Sequence, residues 1–185
     1  MSGQALTVTF LNELALQSPW IGSFALLVSE AGLMLLASVP VTLAMLNLRD
    51  RFHVTQAFLV IVGALVAWVL ADTIKYIFDT PRPAEVLEAV TPIISKDLYG
   101  AFPSGHTALA TALAVGMLYY RPSWGFVMVI GAVLVGVSRV VLGVHWPFDI
   151  AGGLVLGSVT AIGVRLVYRR LLKRSGVMGW VNRHF

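Results

Sequence analysis

Three short stretches of this chain carry residues whose types and spacing suit chemistry on an anion. Lys75 and Arg82 stand seven positions apart in KYIFDTPRP, Pro103 to His106 reads PSGH, and Ser138 to Asp149 reads SRVVLGVHWPFD. Lys75, Arg82 and Arg139 offer three positive charges, and the two guanidiniums can grip phosphate oxygens in bidentate fashion. His145 and Asp149 lie four apart across an expected helix start. The carboxylate can therefore accept from one ring nitrogen, set the tautomer and leave the other nitrogen to attack, the orienting logic of a serine–histidine–aspartate triad. His106 has no carboxylate near it in sequence and is the candidate general acid for a leaving oxygen; in a second step it would activate water against a phosphohistidine. Ser104 and Gly105, a small hydroxyl and an absent side chain, would let backbone donors approach an oxyanion. Pro103 and Pro147 suit the first turn of a helix, so two helix N-termini would aim N–H groups at the same pocket. The cationic residues would supply the charge neutralisation that magnesium supplies in kinases, so neither a metal nor another cofactor is expected.

Taken singly, each piece has an ordinary explanation. A lone histidine at a helix mouth is usually a packing residue, a single arginine near a span end usually snorkels, and Ser-Gly at a helix start is usually a cap. His106 and His145 lack the HxxxH or HExxH spacing of a zinc site. The convergence of three cations, two histidines and a paired carboxylate outweighs those readings in a chain so poor in charge.

The elements that must position these residues are helices in a membrane. The chain has 185 residues, 58% hydrophobic and 12% charged, where soluble domains run near 45–50% apolar and about 25% charged. This composition predicts an all-α, polytopic membrane bundle forming one domain over residues 1–185. The expected layout is an N-terminal interfacial helix (1–19, with Leu6 to Leu16 too short to span), a transmembrane core (20–168) and a basic tail (169–185). Five spans are expected: Trp20–Leu46, Val54–Phe78, Pro103–Tyr120, Trp124–Gly143 and Pro147–Tyr168. The longest loop, Asp79 to Ala101, is broken by Pro81, Pro83 and Pro92, and AEVLEAVTPIISKDLYG within it suits a short lid helix and a turn. No cysteine is present, which excludes disulfides and thiolate chemistry. The N-terminus lacks the basic region of a cleaved signal peptide.

Parity of the crossings brings the three motifs to one face. Nine basic residues, Arg49, Arg51, Arg121, Arg165 and the tail's Arg169, Arg170, Lys173, Arg174 and Arg183, fall on the other face. Only Lys75, Arg82, Lys96 and Arg139 fall on the motif side. Because cytoplasmic loops are enriched in Lys and Arg, the C-terminus is expected in the cytoplasm and the site on the extracytoplasmic side. The partners expected are the bilayer and a lipid phosphate; no nucleic acid is expected, and oligomeric state is left open.

Several residues outside the motifs also matter. Glu30 lies ten residues into the first span, about 15 Å along its axis. A carboxylate there needs a partner, and it is expected to reach the site, pairing with an arginine or tuning His106; a buried interhelical hydrogen bond is the plainer alternative. Asp72, three residues before Lys75, would position its ammonium or compensate its charge. Asp79, Thr80, Glu85 and Glu88 border the site and are expected to be solvated, since extra acidity beside an anionic substrate does not help binding. Trp146 suits either a lipid path or interfacial anchoring. Gly153 and Gly157 form a small-xxx-small pair and predict close helix packing.

The three stretches resemble the type 2 phosphatidic acid phosphatase superfamily, shared with vanadium haloperoxidases, whose pattern is KxxxxxxRP, PSGH and SRxxxxxHxxxD. Lys75, Arg82 and Pro83, then Pro103 to His106, then Ser138, Arg139, His145 and Asp149 fill every fixed position. The resemblance implies a histidine nucleophile, a second histidine as acid, and metal-independent release of phosphate from lipids. The short layout is similar to that of bacterial undecaprenyl-diphosphate phosphatases, although several members of that branch carry Asp where this chain has Gly105. It leaves open phosphatidylglycerophosphate or phosphatidic acid as substrate, transfer to an acceptor other than water, and a lipid binder or transporter that has borrowed the fold.

Overall fold

The computed structural model describes residues 2–94 and 100–174. Among them the structure is all helical: α1 Gly3–Gln17, α2 Pro19–Met45, α3 Arg51–Phe78, α4 Pro83–Val86, α5 Gly105–Tyr120, α6 Pro122–Val141 and α7 Pro147–Arg174. Lys96 and the end of the tail, 175–185, lie outside the described residues, as does part of the expected lid-and-turn segment. The part that is described supplies only the single turn α4.

Four helices among the described residues, α2, α3, α6 and α7, are long and apolar enough to cross a membrane. Their outward faces carry large apolar residues such as Phe24, Leu27, Leu65, Val69, Phe126, Ile130 and Val155, as a lipid-facing surface requires. The expected third span differs. Helix α5 has 16 residues, about 24 Å of rise, and sits at the centre of the bundle against α3, α6 and α7. Most of its residues are buried, many of them Ala or Gly. Its neighbours cover it, so its own length need not match the hydrocarbon.

Small residues bring these helices into register. A Cβ on Gly157 would lie 2.3 Å from the Ala108 carbonyl oxygen, and one on Gly153 would lie 2.8 Å from that of Ser104. The α7 backbone therefore lies directly on α5, as the small-residue pair predicts. This contact sets the start of α7 beside the start of α5.

Two helix ends depart from expectation. Pro103 is not in the first turn of α5; Ser104 is the N-cap, its Oγ accepting from Thr107 N at 3.5 Å and Thr107 Oγ1 at 3.0 Å. A serine at the cap satisfies one orphan donor, which the proline immediately before it cannot do. At the other end, α7 runs to Arg174 rather than stopping near Tyr168, because Arg, Leu and Lys are all good helix formers and no Gly or Pro intervenes. Proline does start α2, α6 and α7, at Pro19, Pro122 and Pro147.

Helix α1 packs on α2, α6 and α7 through a stripe of Ala5, Val8, Asn12 and Ala15, leaving Leu6, Phe10 and Leu14 exposed. The spacing of three and four residues makes that stripe one helical face.

Candidate active site

The third motif begins in the last turn of α6 and ends in the first turn of α7. Gly143, at φ +75°, turns the chain just after α6, a conformation that glycine adopts without steric cost. His145 then enters the protein and is fully buried, while Asp149 follows in the first turn of α7, also buried. Asp149 Oδ2 lies 3.3 Å from His145 Nδ1 and accepts from Trp146 N at 2.8 Å. The same oxygen thus orients the ring and satisfies a backbone donor at the helix start. With Nδ1 directed to the carboxylate, Nε2 is the ring nitrogen placed to carry an attack.

The first motif closes on this pair from α3. Lys75, in the last turn of α3, is buried with its Nζ 3.6 Å from Asp72 Oδ1, so Asp72 does sit against the ammonium. Asp79 caps α3 in the left-handed region at φ 36°. Thr80, expected to be solvated, instead ties the two ends of the long loop together: its carbonyl accepts from Ala101 N and its Oγ1 from Phe102 N. Arg82 is buried and donates through Nη1 to the Val144 carbonyl at 3.0 Å and through Nη2 to the Gly100 carbonyl at 3.2 Å. It therefore braces the backbone immediately before His145, a use of its fork that sequence reading did not foresee. Lys75 and Arg82 both lie near enough to Asp149 to act on its charge. Glu85 is likewise engaged, its Oε2 accepting from Arg82 N at 2.9 Å to close a capping box on α4. Trp146 has a further use that was not foreseen: its Nε1 donates to the Pro81 carbonyl at 2.9 Å, locking the third motif onto the first.

The second motif meets both. Ser104 N donates to the Asp149 carbonyl at 3.1 Å, so this amide joins α5 to α7 rather than serving an anion. The next two amides, of Gly105 and His106, occupy helix positions with no intrahelical acceptor and are the ones suited to an oxyanion. A Cβ on Gly105 would meet Lys75 Nζ and Trp68 Cδ1 at 3.4 Å each; the glycine lets α3 and its ammonium approach the start of α5.

Two residues of α2 complete the site. Arg139 is buried, and its Nη1 lies 2.9 Å from Ser29 Oγ and 3.2 Å from Glu30 Oε1. The same Glu30 oxygen is 3.6 Å from His106 Nε2, so Glu30 meets both of its expected partners. Ser29 was not foreseen, although a serine beside a carboxylate in an apolar helix is a readable signal. Asn12 of α1 was also missed. It is fully buried and bridges the loop to the end of α6, donating to the Thr91 and Val141 carbonyls at 3.0 and 3.2 Å and accepting from Thr91 N at 2.9 Å. Gln4, at the other end of α1, accepts from Phe148 N at 3.1 Å. Helix α1 thus straps the segment that carries His145 at both ends.

A helical membrane bundle that gathers three buried cations and a histidine–carboxylate pair at one end defines an anion-handling membrane protein. Its family is shown by a match over residues 52–173: the chain belongs to the PAP2 superfamily. It is 32% identical over 121 residues to an undecaprenyl-diphosphatase of Sulfolobus acidocaldarius, covering 65% of this chain and 58% of that one. It is 34% identical over 113 residues to undecaprenyl-diphosphatase BcrC of Bacillus subtilis, covering 61% and 56%. The matched stretches therefore span under two thirds of these relatives' lengths. The crystal structure of Aquifex aeolicus LpxE is similar in fold, with a TM-score of 0.73 at 23% identity over 89% of this chain and 95% of that one.

Proposed function

We propose that this chain is a lipid phosphatase that works through a phosphohistidine on His145. The observation that carries the reading is the buried pair of His145 Nδ1 and Asp149 Oδ2 at 3.3 Å, set among the buried cations Lys75, Arg82 and Arg139. In the first half-reaction the phosphate is held by Lys75, the two arginines and the amides of Gly105 and His106. His145 Nε2 bonds to phosphorus while the bond to the leaving oxygen breaks and His106 donates its proton to that oxygen. Asp149 balances the positive charge that develops on the His145 ring. In the second half-reaction His106 accepts a proton from water as the water attacks phosphorus, the bond from His145 Nε2 to phosphorus breaks with its electron pair returning to the ring, and inorganic phosphate leaves.

Undecaprenyl diphosphate is the substrate we favour. Two relatives named for that activity and the excess of basic residues on the opposite face support it, with the site on the extracytoplasmic side of a bacterial cytoplasmic membrane and the C-terminus inside. Phosphate release measured on undecaprenyl diphosphate, phosphatidylglycerophosphate and phosphatidic acid in one detergent tests the assignment. Undecaprenyl diphosphate should turn over fastest, and His145→Ala should abolish release from all three. A His145→Ala protein as active as the wild type would overturn the mechanism. A phosphorylated acceptor in place of free phosphate would make the chain a phosphotransferase, and absence of both products with intact lipid binding would make it a binder.

A further inference from the structure

Glu30 and Ser29 lie on α2, outside the 52–173 stretch that defines the family match and outside the three motifs. Oε1 of Glu30 faces two partners at once, Arg139 Nη1 at 3.2 Å and His106 Nε2 at 3.6 Å. Ser29 Oγ donates to that same oxygen at 3.1 Å while accepting from Arg139 Nη1 at 2.9 Å. Serine and arginine, both buried, contact the half-exposed carboxylate, and the partly exposed His106 ring faces the same oxygen. A counter-ion for Arg139 alone would not need that oxygen to face a second ring. The arrangement mirrors the nucleophile's, where one nitrogen faces Asp149 and the other faces phosphorus.

We propose that Glu30 is the positioning residue of the general acid, holding His106 by Nε2 so that Nδ1 faces the leaving oxygen. This rests on the reading of His145 as nucleophile and His106 as acid. Its consequence concerns substrate class. Breaking the ester bond of a lipid monophosphate expels an alkoxide, a strong base that must receive the His106 proton as the bond breaks. Breaking the diphosphate bond expels a lipid monophosphate, a much weaker base that needs the proton far less. Glu30 therefore matters most for monophosphate hydrolysis, and it extends the range of substrates beyond diphosphates.

The test is Glu30→Gln, which keeps an oxygen for Arg139 but no charge for the imidazolium. Turnover is compared on a lipid monophosphate, a lipid diphosphate and p-nitrophenyl phosphate, whose nitrophenolate leaves readily. The ratios are taken within one preparation, so a partly misfolded fraction cancels. Monophosphate kcat should fall by about 100-fold, the size of effect that a misplaced catalytic group produces, with the other two substrates falling far less and KM nearly unchanged. In a His106→Asn background, Glu30→Gln should cost nothing further, because both act on the same proton transfer. An equal loss on all three substrates, or losses that multiply with His106→Asn, would leave Glu30 as a partner of Arg139 only and overturn the proposal. His145→Ala is run alongside: if it stays active the mechanism itself falls, whereas an inactive His145→Ala with a uniform Glu30→Gln loss sinks this proposal alone.

Discussion

Asp149→Asn separates the chemistry of the His145 pair from its architecture. One oxygen of Asp149 takes both His145 Nδ1 at 3.3 Å and Trp146 N at 2.8 Å. Asparagine can place its amide oxygen at the same point and keep both hydrogen bonds. What it loses is the charge. When Nε2 bonds to phosphorus the ring becomes cationic, and a unit charge pair at 3.3 Å in an effective dielectric of about 20 is worth about 5 kcal/mol. Both charges are spread over two atoms, which lowers this to about 3–5 kcal/mol, or about 10²–10⁴-fold in rate at 1.36 kcal/mol per decade. Phosphate release in detergent should therefore fall by that factor while the thermal midpoint, followed by tryptophan fluorescence, hardly moves. Asp149→Ala should lose the activity and about 1 kcal/mol of stability as well, since it removes the acceptor of the Trp146 N–H at the start of α7. A folded Asp149→Asn protein within tenfold of the wild-type rate would refute the reasoning. So would equal drops in midpoint for the two variants, which would reduce Asp149 to a structural acceptor for the Trp146 N–H.

Other outcomes follow from the same contacts. Arg82→Lys puts one compact ammonium where a fork spans the Val144 and Gly100 carbonyls, so it should cost about 1.5–3 kcal/mol of stability along with activity, seen together in the midpoint and in phosphate release. Gly157→Ala places a Cβ 2.3 Å from the Ala108 oxygen and should destabilise by about 1–3 kcal/mol, pushing α7 off α5. Gly163→Ala meets nothing within 4 Å and should be neutral or stabilising by about 0.5–1 kcal/mol, the control for helix propensity. Asn12→Leu strands the Thr91 and Val141 groups, so it should cost about 1–3 kcal/mol and lower kcat by loosening the His145 segment, read by denaturation and turnover in parallel.

The sequence alone determined whatever depends on local geometry. The spacing of His145 and Asp149 is a single helical turn, so their contact needed no tertiary information. Composition determined a helical membrane bundle, and the identity of the three motifs singled out the candidate side chains. Gly153 and Gly157 announced a close helix contact because only their lack of Cβ atoms permits one. Tertiary structure decided the pairings that cross the bundle. Glu30 was legible only as a carboxylate that had to find a partner; which partners it found depends on α2 packing beside α6 and α5, over separations that no local rule spans. The division of Arg82 between phosphate and backbone carbonyls was equally hidden, because sequence shows side chains while the Val144 and Gly100 acceptors are placed by the loop's path. Helix α5 was read as one span among five from its apolar run, which does not reveal that it is shorter than the others and buried at the centre of the bundle. Its neighbours, by covering it, release it from the bilayer's length requirement.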